Sequence, residues 1–202
     1  MSSSLPKSPR IDLEMGTKPN TIEAIGWRSR LVTRMRGGQT LQDLRKLGLR
    51  ADPPVRLSVR SFIDQNFAWA VKIGAYTIIA NDVRIIAHDA AIKRLTGYTE
   101  VRPVVIGERC YIGAGTIVLP GAVIGNDAII GAGALVRGEI PANSVAVGIP
   151  AKVIGRVEDI RERHLARMGS SPRFEYLPRD FSATKIDEMR RALGEHGHIY
   201  VL

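Results

Sequence analysis

Residues 106–141 read IGERCY, IGAGTI, VLPGAV, IGNDAI, IGAGAL and VRGEIP, six consecutive hexads each led by an aliphatic residue. Ile106, Ile112, Val118, Ile124, Ile130 and Val136 lead them, and Gly follows in four. The fifth position carries Cys110, Thr116, Ala122, Ala128 and Ala134 in the first five hexads, all small. Neither a 3.6-residue helix nor a two-residue alternation generates a period of six. A short flat strand followed by a tight turn does, and three such units close a triangular coil. The leading aliphatic then points into the prism and stacks on its equivalent one coil away. The small residue fits the crowded interior, and Gly supplies turn conformations that a Cβ would obstruct.

The same phase extends upstream as IGAYTI from Ile73, IANDVR from Ile79 and the pair at Ile85, with a degraded version running back through Phe67 to Val55. The expected fold is mainly β, a left-handed parallel β-helix. Twenty-one residues separate Ile85 from Ile106, which is one hexad plus 15. A loop over about residues 88–103 therefore interrupts the prism, and insertions at solenoid corners often carry function. The flanks read as helical. Thr40 caps a stretch with Leu41, Leu44 and Leu47 on one face, stopped by Gly48. Thr21 to Met35 suggests an earlier helix. Val157 to Met168 has helical apolar spacing, and a last helix is expected from Ser182 to Leu193, ending at Gly194. The resulting division is a basic flank over 1–52, the β-helix over 53–156 and a helical extension over 157–202.

Composition agrees with a narrow aliphatic core. Apolar residues make up 45% of the chain and aromatics only 5%. The net charge of +9 is concentrated at the start: residues 1–60 carry 12 Lys and Arg against 5 Asp and Glu. No nucleic-acid module or interleaved aromatics accompany that surplus, so it reads as a solvated flank suited to an anionic substrate rather than as a nucleic-acid surface. No apolar leader core and no run near the ~18 apolar residues of a membrane span is present. Cys110 is the single cysteine and cannot form an internal disulfide. A reducing, cytoplasmic setting is the expectation.

His88 is the only histidine within the repeat region, and it stands where regular coil gives way to the loop. An imidazole there can act as a general base at neutral pH. Asp89 follows it and could shape the loop or orient an imidazole. No metal is expected: His196 and His198 form an H-x-H near the C-terminus, and two tail histidines are more often solvated than ligands. Cys110 fills a small-residue slot and is expected to be buried and inert.

The repeat, His88 at the head of the loop HDAAIKRLTGYTEVRPVVIG and the closing phrase IPANSVAVGIPAKVIG together resemble the hexapeptide-repeat acyltransferases, in the style of bacterial sugar O-acetyltransferases of capsule and lipopolysaccharide pathways. The resemblance covers about Val55 to Arg156. It implies transfer of an acetyl group from acetyl-CoA to a saccharide hydroxyl, with His88 as catalytic base. It also implies a homotrimer whose sites lie between prisms. By the same resemblance Asn66 in FIDQNF would hold the acceptor, and Ala114, Ala132, Arg137, Lys152 and Arg156 would line the CoA groove; Asp89, next to His88, is a further candidate for substrate binding. One departure is Arg137-Gly138 where the family carries Thr-Lys. Lys93, Arg94 and Arg102 in the loop hint at an anionic acceptor. The alternatives are N-acetylation of an amino sugar or other small amine, a longer acyl donor, and a silent trimeric β-helix scaffold.

Overall fold

The computed structural model describes residues 39–202 except residue 59; the helix suggested over 21–35 and most of the 1–52 flank lie outside the described residues. The described chain winds a left-handed parallel β-helix. One face stacks Arg50–Ala51, Val71–Ile73, Val104–Ile106, Val123–Ile124 and Glu139–Ile140. A second stacks Arg56–Leu57, Ile78–Ile79, Tyr111–Ile112, Ile129–Ile130 and Ser144–Val147. The third stacks Phe62–Ile63, Arg84–Ile85, Ile117–Val118 and Leu135–Val136. All of these neighbours pair in parallel. The first paired strand, Arg50–Ala51, precedes the boundary at residue 53 that the sequence suggests.

The register follows the hexads. Ile106 pairs with Ile124, Ile112 with Ile130 and Val118 with Val136, each 18 residues on. Across the loop the step becomes 33, with Ile73 opposite Ile106 and Ile85 opposite Val118, so the 15 extra residues leave the prism as a unit. Below it the expected phase is corrected. Ala51 pairs with Ile73, Leu57 with Ile79 and Ile63 with Ile85, a step of 22. The leading aliphatic positions of the first coil are therefore Ala51, Leu57 and Ile63, while Val55 and Ser61 occupy its small-residue slots. Phe67 lies outside the register. The four additional residues form a turn containing a short 3-10 helix, Ala68–Ala70. A period read backwards by sixes cannot see an insertion of four.

The core is the stack of leading residues. Ile73, Ile79, Ile106, Ile112, Ile124 and Ile130 are all buried, as are Cys110, Thr116, Ala122, Ala128 and Ala134. Each fully buried aliphatic contributes roughly 1.5–3 kcal/mol relative to exposure. Cys110 is buried as expected, its Sγ 3.1 Å from the Gly125 carbonyl, and burial pushes its thiol pKa up. A protonated, enclosed thiol is a poor nucleophile.

Each end of the prism carries a distinct closing element. Gln39 donates from Nε2 to the Ile63 carbonyl at 2.8 Å and accepts the Ile63 amide at 2.6 Å, pairing the third strand of the first coil at its open edge. Helix α1, Leu41–Lys46, follows, with Thr40 Oγ1 accepting the Asp43 amide at 3.1 Å and Leu44 buried. Within the loop lies α2, Lys93–Thr96, closed by Gly97 at φ +81°. At the far end Lys152–Arg156 pairs antiparallel with Ser144–Val147, which ends the parallel stacking. Helix α3 spans Val157–Met168, the limits that apolar spacing predicts. The last helix, α4, runs Ala183–His196 and ends at Gly197, φ +73°. It passes through Gly194, the expected stop, because the left-handed terminating conformation falls three residues later. Among the described residues no helix is long and apolar enough to cross a membrane, and no group of three metal-ligating side chains occurs.

Candidate active site

The loop leaves the prism at the corner between the third and first faces. His88–Asp89 pairs antiparallel with Glu100–Val101, so the excursion is a hairpin whose neck begins at His88. The Arg102 amide donates to the Ala87 carbonyl at 2.9 Å and closes that neck. The loop's position is thus rigid where it meets the coil. Its tip exposes Leu95 and Tyr98.

The imidazole of His88 is held from below. Its Nδ1 contacts Asp64 Oδ2, and the same oxygen accepts the Ala87 amide at 3.2 Å. The Asp64 side chain is 2% exposed and that of His88 30%. A carboxylate oxygen already accepting one N–H acts as acceptor toward the imidazole, so Nδ1 carries the proton and Nε2 keeps its lone pair. Phe67 packs on the ring with centroids 4.9 Å apart. A buried carboxylate below, an aromatic ring at the side and a hairpin neck fix the imidazole while leaving part of it open to solvent.

Asp64 is the residue that sequence reasoning missed. It follows Ile63 directly and its amide donates to the Ile85 carbonyl at 2.9 Å, which places it one coil below the start of the loop. The available signal was an acidic side chain immediately after a leading aliphatic, but the unrecognised four-residue shift put that aliphatic out of phase. Asp89, the acid that the sequence brings next to His88, instead turns back to accept the Ala91 amide at 2.7 Å. It shapes the loop. Asn66 is exposed in the turn after Asp64, 22 residues before His88, the step that separates Ile63 from Ile85.

The five residues expected at a CoA groove divide among three corners. Ala114 and Ala132 lie one coil apart on the corner between the second and third faces, both exposed. Their amides donate to no acceptor among the described residues, whereas the neighbouring Gly115 and Gly133 amides are taken by Asn81 and Ala114 carbonyls at 2.9 and 2.8 Å. A Cβ on Gly113 would come within 2.5 Å of the Ala132 nitrogen, so this coil spacing requires glycine there. Lys152, opposite Val147, continues the same edge. Arg137 follows Val136 onto the corner that carries His88, while Arg156, opposite Ser144, sits at the third corner. Arg102 lies over Gly121, where any added Cβ would meet its guanidinium. It braces the loop against the next coil.

Residues 103–138 match the bacterial transferase hexapeptide (six repeats) family. Among curated relatives, this chain is 39% identical over 97 residues to a putative lipopolysaccharide biosynthesis O-acetyl transferase, WbbJ, of Escherichia coli K12, a span of 42% of this chain and 50% of that protein. It is 33% identical over 130 residues to the galactoside O-acetyltransferase of the same organism, covering 56% of this chain and 63% of that one. The chain thus spans between half and two thirds of the length of these relatives. Among solved structures, a maltose O-acetyltransferase from Clostridium difficile 630 is similar at 26% identity and a TM-score of 0.41, covering 68% of this chain and 88% of the other.

Proposed function

We propose that the chain is an acetyl-CoA-dependent O-acetyltransferase acting on a saccharide hydroxyl, with His88 as general base. The observation that carries this reading is the His88–Asp64 pair at the neck of the loop. Its support is the similarity of the hexapeptide segment to sugar O-acetyltransferases. In the reaction, His88 Nε2 takes the acceptor's hydroxyl proton as the oxygen attacks the thioester carbonyl. The new C–O bond forms, the C–S bond breaks, and the proton passes to the departing thiolate. Asp64 at Nδ1 holds the tautomer and stabilises the imidazolium that forms. Asn66, exposed one coil below, is the proposed partner for the acceptor. The free Ala114 and Ala132 amides suit the amide carbonyls of an extended pantetheine arm, and Lys152 suits a phosphate at the same edge.

That edge and His88 lie on opposite sides of the third face. A homotrimer, in which the thioester edge of one prism faces His88 of the next, brings them together. Sedimentation of a stable monomer with full activity contradicts that assembly. The single enclosed thiol suits a reducing cytoplasm.

Asp64→Asn tests the pair. The variant keeps the shape of the side chain but turns the tautomer-fixing acceptor into an amide. Its kcat should fall by about 10²-fold or more while KM for acetyl-CoA holds. Unchanged turnover would remove Asp64 from the mechanism.

A further inference from the structure

The four-residue shift in the first coil does more than displace the register. It places an exposed indole against Phe67, the ring that packs on the proposed base. Trp69, in the Ala68–Ala70 turn, is 56% exposed. Its ring meets Phe67 edge to face, with centroids 6.3 Å apart and planes at 66°. Phe67 in turn packs on His88. The three rings form a continuous run from the open indole to the imidazole.

The indole is mounted from behind. Gly48, at φ +91° just past α1, lies so close that a Cβ there would be 2.7 Å from Trp69 Cβ. The same turn exposes the polar Gln65 and Asn66. An exposed ring, with one exposed leucine, Leu47, next to Gly48 and the polar Gln65 and Asn66 in its own turn, makes a small apolar face rather than a broad one that buries against another protein. It suits a ligand with an apolar face and a hydroxylated rim. The C–H groups on one face of a pyranose meet that description, since their positive edges complement the negative face of an aromatic ring.

We propose that Trp69 is a stacking platform for a pyranose ring of the acceptor, backed by Phe67 and placed so that a hydroxyl of the bound saccharide reaches His88. This rests on the reading of the acceptor as a saccharide. Trp69 then sets acceptor affinity and leaves thioester binding alone.

The test uses the full-length chain and its Trp69→Ala and Trp69→Phe variants, with methyl β-galactoside, maltose and maltotriose as probes. Steady-state kinetics are measured with the probe that wild-type protein acetylates best. Trp69→Ala should raise acceptor KM on the order of tenfold with KM for acetyl-CoA unchanged, and Trp69→Phe should recover most of the loss. In parallel, a Trp27→Phe background leaves Trp69 as the only indole, and saccharide should shift its fluorescence. An acceptor KM unaffected by Trp69→Ala overturns the platform. So does a change in oligomer mass in that variant, because the ring would then be covering a second copy. If wild-type protein acetylates none of the probes, the acetyltransferase reading fails at that step. The fluorescence arm still decides the platform: a saccharide-dependent shift supports it and a flat titration rejects it.

Discussion

With His88 replaced by alanine, acetyl transfer is expected to fall by about 10²–10⁴-fold in kcat, the range that a positioned proton-transfer group supplies. The argument is geometric. Nδ1 is committed to a buried carboxylate, and the ring is immobilised by Phe67 and by the hairpin neck closed between Arg102 and Ala87. Nε2 is left as the free proton acceptor. Because the side chain is partly exposed, its loss does not open the hydrophobic stack. The structural cost falls on Asp64, which keeps only the Ala87 amide as donor. Leaving a buried polar group short of a partner costs about 1–3 kcal/mol. A modest fall in Tm with a large fall in kcat is therefore the expected signature, and kcat within threefold of wild type would exclude His88 as the base.

The second large effect is expected in the core. Ile112→Ala should cost about 2–5 kcal/mol in unfolding free energy, read from denaturant or thermal melts. Ile112 is fully buried and lies between Ile79 and Ile130 in the second face, in register with both. Each coil contacts mainly its neighbours, so a cavity at the middle of the stack weakens two coil interfaces at once. Ile129→Ala, one residue before the leading position of the next coil and facing outward, should cost clearly less. Equal losses from the two substitutions would contradict the inward–outward assignment that the hexads make.

The hexads from Ile106 to Val136 made the regular coils legible, because a leading aliphatic every sixth residue leaves one triangular solution. The loop's length was legible for the same reason, since the phase of Ile85 and Ile106 counts its 15 extra residues. The first coil was not. Four inserted residues around Phe67 and Trp69 have no periodic signature, and they hid that Asp64 lies beneath His88. The local pairing of His88 with Asp89 is visible in sequence, yet adjacent residues on a strand point to opposite sides, so the useful carboxylate had to come from another coil. Ala114 and Ala132 were placed by the family resemblance, and their shared corner, like the separation of Arg137 and Arg156 onto other corners, needed the fold. Asn66 was placed from a family pattern, and its exposure one coil below His88 comes from the 22-residue step.

The most direct measurement follows thiol release and product together. Pure protein is mixed with acetyl-CoA and a saccharide in the presence of a thiol reagent, which reports CoA alone while Cys110 stays enclosed. Mass spectrometry with hydroxylamine treatment identifies the product. The account predicts an acetyl ester, cleaved by hydroxylamine and formed in step with free CoA, with wild-type protein and not with His88→Ala. A hydroxylamine-stable amide, or no CoA release above the buffer rate with any acceptor, would contradict it.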